Sequence, residues 1–143
     1  MGYELLGFLT ESATITAEEL VDLLRQKYAS GIGALVNFKT VALNFNGSIT
    51  VTWADWSIGL AISDAAWVVL ESEEIAERYA KHRADQSHIA RCRRRIEVVS
   101  DDDPSIHHFN NYVSIVEVLE AVPGCIVFDS RIGKFMDDIA AGR

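Results

Sequence analysis

Thr40-Val41-Ala42-Leu43-Asn44-Phe45-Asn46-Gly47-Ser48-Ile49-Thr50-Val51-Thr52-Trp53 is the stretch that decides the fold class. Two runs rich in β-branched and aromatic residues flank Asn46-Gly47, and such residues suit a pleated, half-buried surface. Asn-Gly is the preferred pair for a two-residue type I′ turn, because both residues tolerate positive φ. Alternation assigns Val41, Leu43 and Phe45 to one face, with Ile49, Val51 and Trp53 doing the same on the partner strand. Trp56 to Ile62 reads as a third strand joined through Ala54-Asp55. A β-meander therefore occupies the middle of the chain.

Helices are predicted on both sides of it. Upstream, Tyr3 to Thr10 is a short apolar strand, and Thr16-Ala17-Glu18-Glu19 is a capping box. In that motif the Thr16 hydroxyl and the Glu19 carboxylate each satisfy one orphan amide of the first turn. Ile15 and Leu20 occupy staple positions, Leu23, Leu24 and Tyr28 follow at helical spacing, and Ser30-Gly31 supplies a stop. Downstream, Trp67 to Leu70 suits either a strand or a helix start, and Ser72-Glu73-Glu74 reads as a helix N-terminus. Ala84 to Arg91 follows as a short helical piece. Arg95 to Val99 alternates as a strand. Asp103 then caps a helix from Pro104 to Val122, with proline at the first helical position, where its missing N–H is harmless. Ile106, Phe109, Val113, Val116 and Leu119 make its main stripe. Pro123-Gly124 stops it, Cys125 to Phe128 is a buried strand, Phe135-Met136 an edge strand, and the last residues are expected to fray. The order predicts one α+β domain over residues 1–143, a mainly antiparallel sheet with about three helices packed on one face.

Charge narrows the classes of partner. Thirteen basic residues against twenty-one acidic ones give a net charge of −8, which opposes nucleic acid and anionic membrane surfaces and favours basic proteins. The distribution is uneven. Arg78 to Arg95 holds seven basic residues and one acid, Asp85, and so carries +6, leaving −14 on the rest. That segment reads either as a solvated face pairing with the protein's own acids or as an anion site. No stretch approaches the roughly 20 apolar residues of a membrane helix. The start Met1-Gly2-Tyr3-Glu4-Leu5-Leu6 lacks the basic and apolar regions of a signal peptide, so the expected compartment is the cytoplasm. Cys92 and Cys125 are too few and too far apart for a disulfide framework or a CxxC motif.

Catalytic signatures are weak. No serine sits in a GxSxG elbow, and Gly31-Ile32-Gly33 does not complete a phosphate loop. Cys92 among arginines has the surroundings that lower a thiol pKa, but no base accompanies it. The densest polar cluster runs from Asp101 to Tyr112. Adjacent His107 and His108 would point about 100° apart on a helix, which disfavours a shared metal ion. No cofactor or metal is expected, and no enzymatic activity. His108 and Asn111, at i and i+3, share a face as an exposed recognition patch. Trp56, next to Asp55 at a strand edge, is a candidate for a partner surface. Asp55, Asp64, Asp101 and Asp102 fall in predicted turns, where carboxylates are free to meet a partner.

One half of the chain, about residues 71 to 135, resembles small bacterial toxin-immunity proteins. The residues carrying the likeness are Glu71-Ser72-Glu73-Glu74-Ile75-Ala76, Ser100-Asp101-Asp102-Asp103-Pro104, His108-Phe109-Asn110-Asn111-Tyr112, Leu119-Glu120, Gly124, Val127-Phe128-Asp129 and Gly133-Lys134-Phe135. Those proteins include the immunity partners of contact-dependent growth inhibition and other polymorphic toxin systems. The resemblance implies a cytoplasmic, non-enzymatic inhibitor that binds one cognate toxin domain tightly. It does not imply which residues bind. Many toxin domains act on nucleic acid and are basic, and an acidic partner suits them. The rival expectations are a small-molecule-binding or enzymatic α+β domain and a structural subunit of a larger assembly.

Overall fold

The computed structural model of the protein describes residues 2–29 and 38–143. In chain order it contains β1 (Gly2–Leu9), α1 (Ala17–Ala29), β2 (Phe38–Leu43), β3 (Ile49–Trp53), β4 (Trp56–Ser63), α2 (Ala66–Tyr79), α3 (Gln86–Ala90) and β5 (Arg94–Asp102). It continues with α4 (Phe109–Glu120), β6 (Cys125–Asp129), β7 (Lys134–Phe135) and α5 (Met136–Ala140). The strands form one seven-stranded sheet in the order β2-β3-β4-β5-β1-β6-β7, antiparallel throughout. The α+β class and the central meander stand as expected.

The meander forms with a different first turn. A two-residue Asn46-Gly47 loop would set Leu43 opposite Thr50, and so an apolar side chain against the solvent face. Instead Leu43 pairs with Ile49 and Val41 with Val51. The loop is Phe45-Asn46-Gly47, closed by Asn44 N–H donating to the Ser48 carbonyl (2.8 Å). Only Gly47 of the three has positive φ, +85°, the signature of a three-residue loop with a glycine bulge rather than type I′. The extra residue brings both apolar rows onto one face, and face matching decides register because the side-chain period is two. Phe45 moves from the expected strand row to the fully exposed loop tip.

Helix α1 starts on the predicted box: Glu19 N–H donates to Thr16 Oγ1 (3.2 Å), and Thr16 N–H to Glu19 Oε1 (3.1 Å). The expected stop at Ser30-Gly31, like Gly31-Ile32-Gly33, lies outside the described residues. Helix α2 begins at Ala66, not Ser72. Ser72 is buried inside it and returns its hydroxyl to the Val68 carbonyl (2.8 Å), which satisfies the polar group without a cap. Helix α4 begins at Phe109, beyond the predicted Pro104. Ile106 breaks the run with φ +52°, outside the right-handed region a helix needs.

Helices cover both faces of the sheet, not one. Leu5 and Leu9 of β1, the inner rows of β3 to β5, and Val127 pack with Leu20, Val21 and Leu24 of α1 and with Ile115, Val116 and Leu119 of α4. On the reverse face Phe8, Phe128 and Phe135 pack with Ala76, Ala80, Ile89 and Cys92. β1 alternates Leu5, Gly7 and Leu9 against Leu6 and Phe8, so it serves both layers. Beneath the second layer Arg83 ties α5 down by ion pairs to Asp137 (2.6 Å) and Asp138 (3.2 Å). Among the described residues no helix is long and apolar enough to cross a membrane.

Candidate functional site

The β3–β4 connection is tight. Trp53 and Trp56 are paired across Ala54-Asp55, and Ala54 takes φ +45°. This turn delivers Trp56 to the end of the sheet, where β5 also ends. The indole is 3% exposed. Its Nε1–H donates to the carbonyls of both Asp101 (3.1 Å) and Asp102 (3.0 Å). Ser57 N–H donates to Asp101 Oδ2 (2.9 Å). The last two residues of β5 are thereby fixed beside the turn that carries Asp55.

The next residue extends the assembly to α4. Asp103 Oδ2 accepts from the Tyr3 hydroxyl (2.7 Å) and from His108 N–H (3.0 Å). Asp103 thus organises the 103–108 loop instead of capping a helix at Pro104. The Tyr3 hydroxyl is pushed up to about 12 by burial and by the adjacent Asp103 carboxylate, so it stays a donor at every physiological pH. Tyr3 in turn stacks on Tyr112 (4.4 Å between centroids). The Tyr112 hydroxyl donates to Asp129 Oδ2 (2.6 Å), and burial followed by that carboxylate holds its proton far above the usual phenol range.

His108 lies flat on Trp56, with centroids 4.5 Å apart and planes within 1°. Its Nδ1 is 3.0 Å from Asn111 Nδ2. The i, i+3 pairing of His108 and Asn111 is present, but Asn111 is buried. It holds the imidazole from behind rather than forming an exposed patch. Trp56 is likewise a support under His108 rather than a contact surface.

Together these residues line an open hollow of about 350 Å³. Asp55, Asp101, Asp102 and Asp103 supply carboxylates, His107 and His108 supply imidazoles, and Trp56, Pro104 and Ser105 complete the wall. No lysine or arginine is among the described lining residues. Five of the seven candidate residues read from the sequence meet here: Asp55, Trp56, Asp101, Asp102 and His108. Asn111 sits behind them. Asp64 does not join, because it follows the far end of β4 (Trp56–Ser63), roughly 25 Å from Trp56 at about 3.3 Å per residue. Tyr3 and Asp103 had no legible role of this kind; their partnership spans 100 positions, and no local spacing reports it.

No hydrogen bond among the described residues links a serine, threonine or cysteine to the His107 or His108 imidazole. No three His, Cys, Asp or Glu side chains among the described residues converge to hold a metal ion. The two thiols lie elsewhere and are suppressed: burial pushes Cys92 up to about 11 and Cys125 up to about 12. Burial overrides the neighbouring arginines that suggested an activated Cys92 thiolate.

The basic segment is partly consumed by the fold. Arg83 is clamped between Asp85, Asp137 and Asp138. Arg95, 4% exposed, pairs with Glu71 and Glu97 and lies under the Trp67 ring. Arg94 donates to the Ile15 carbonyl (2.6 Å). Arg78, Lys81, Arg91 and Arg93 are exposed. Comparison of the chain with family models, with curated proteins and with solved structures finds no match.

Proposed function

We propose that this protein is a non-enzymatic binding protein that neutralises a basic toxin domain by covering it, and that it acts in the cytoplasm. The observation that supports the reading is the convergence of Asp55, Asp101, Asp102 and Asp103 around His108 in one hollow. Carboxylates gathered in one place concentrate negative charge, and a negative field accelerates encounter with a positive partner. Trp56 and Asn111 hold the wall rigid before contact, so little ordering cost falls on association. The acidic balance outside residues 78–95 acts in the same direction at longer range.

Stopped-flow association with the toxin domain encoded by the adjacent upstream gene tests this. The variant Asp55→Lys/Asp102→Lys should associate about tenfold or more slowly at low salt, with a flatter salt dependence. Asp64→Lys, at the other end of β4, should change the rate far less. Unchanged association in the double variant, with binding abolished instead by alanine at Arg91 and Arg93, would replace this reading with an anion site on the basic segment.

A further inference from the structure

The Asn46-Gly47 pair in the β2–β3 loop carries a chemistry of its own. Asparagine is a thermolabile residue, because the nitrogen of the next peptide bond can attack its side-chain carbonyl. A following glycine has no Cβ to obstruct that approach. Of the five asparagines, Asn37, Asn44, Asn46, Asn110 and Asn111, Asn46 alone precedes glycine. Asn46 and Gly47 are both exposed. A Cβ placed on Gly47 would meet nothing within 4 Å, so nothing outside the loop crowds the attack.

The surroundings of the Asn46 amide favour the reaction. Its Oδ1 accepts from Ser48 N–H (3.1 Å) and from the Ser48 hydroxyl (2.7 Å), an Asx turn that folds the side chain forward along the chain. Ser48 Oγ accepts in turn from Asn44 Nδ2 (3.1 Å), which polarises its O–H. Two donors on one carbonyl oxygen draw electrons from Cγ and stabilise the negative charge that oxygen gains under attack. No hydrogen bond among the described residues holds Asn46 Nδ2, the leaving group. The Gly47 N–H bond to the Asn44 carbonyl (3.0 Å) restrains the nucleophile, and a bond at an exposed loop tip opens readily.

We propose that Asn46 is a self-modification site. The Gly47 nitrogen bonds to Asn46 Cγ, the Cγ–Nδ2 bond breaks, and Nδ2 leaves as ammonia with the Gly47 amide proton. Solvent water then opens the cyclic imide: its hydroxyl adds to one of the two ring carbonyl carbons, and its proton returns to the Gly47 nitrogen. Opening at Cγ yields aspartate, and opening at the main-chain carbonyl yields isoaspartate. Either product adds a negative charge to the hairpin tip. Isoaspartate also adds a backbone carbon to the loop that sets the Leu43–Ile49 register.

Incubation of the full chain at pH 8 in heavy-oxygen water, followed by peptide mass spectrometry, tests this. Solvent oxygen should enter at Asn46 while Asn44, Asn110 and Asn111 stay unchanged, and both aspartate and isoaspartate should form. Ser48→Ala should slow the conversion about fivefold, the rate equivalent of one net hydrogen bond. Ser48→Thr, which keeps the hydroxyl, should restore the parent rate. Conversion of Asn46 no faster than that of the other asparagines would overturn the proposal. So would conversion of Ser48→Ala and Ser48→Thr at the same rate as the parent, since the hydroxyl on Oδ1 would then contribute nothing.

Discussion

Arg83→Ala should be among the most destabilising single changes outside the apolar core. The Arg83 side chain is 7% exposed and faces three carboxylates. Asp137 is 63% exposed and Asp85 33%, so each of those pairs contributes about 0–1 kcal/mol. Asp138 is different, at 8% exposure. Without Arg83 it keeps, among the described residues, His82 at 2.7 Å and the more distant Arg143 at 3.7 Å. Stranding a buried carboxylate costs about 3 kcal/mol, the lower end of the usual range because His82 remains. The guanidinium also lies 4.4 Å from the Phe135 ring, a contact contributing about 1 kcal/mol. The total is about 4 kcal/mol, or a fall in Tm of about 15 °C for a domain of this size. Urea titration at pH 7 measures it, and Asp138→Asn in the Arg83→Ala background should recover part of the loss. The pH dependence has a definite sign. Burial alone would raise the Asp138 carboxyl, but the hydrogen bonds from His82 and Arg83 outweigh it and leave it lowered; Arg83 likewise lowers Asp137. A carboxyl depressed in the folded state stabilises above its unfolded value of about 4 and loses that contribution as pH falls through the folded value. The gap between parent and variant should therefore close toward pH 3. A loss under about 1 kcal/mol at pH 7, or a gap that does not change with pH, refutes this account of how α5 is held.

Other variants test the fold at named points. Gly47→Val meets no neighbour within 4 Å but forces φ +85° on a β-branched residue, so denaturant midpoints should report a loss of about 1–2 kcal/mol from backbone strain alone. Gly124→Ala combines φ +79° with a Cβ only 2.6 Å from Ser12 Oγ and 2.9 Å from the Ala13 nitrogen; a loss of about 2–4 kcal/mol is expected in the same titration. Thr16→Ala removes one half of the capping box and should cost about 1 kcal/mol. Because Cys92 is buried and burial raises its thiol to about 11, it should react with a disulfide reagent at pH 8 only as fast as the protein opens, and urea should accelerate the reaction sharply.

The sequence made the strands legible wherever alternation ran for several residues, as in β3, β4 and β5. It failed at the ends of elements. The β2–β3 turn looked like type I′ because Asn-Gly is a strong local signal, yet the match between the Leu43 and Ile49 rows is a tertiary constraint that outranks turn propensity. Pro104 looked like the start of a helix for the same local reason. The competing bonds, from Tyr3 and His108 to Asp103, come from a distant strand and from the far side of the loop. Helix α5 (Met136–Ala140) is short, and its attachment through Arg83 depends on side chains more than 50 positions apart, which no periodicity reports. The carboxylates and His108 were visible as a polar run, but their enclosure with Asp55 depends on the Trp53–Trp56 turn meeting the end of β5. Trp56 and Asn111 were noticed for the wrong reason: an indole and an amide look like contact residues until their hydrogen bonds turn them inward.

The central claim is neutralisation, and titrating the activity of the upstream-encoded toxin domain with this protein tests it most directly. The account predicts that inhibition is complete at one equivalent, and that Asp55→Lys/Asp102→Lys restores activity at the same ratio. Full toxin activity in the presence of excess folded protein would contradict it.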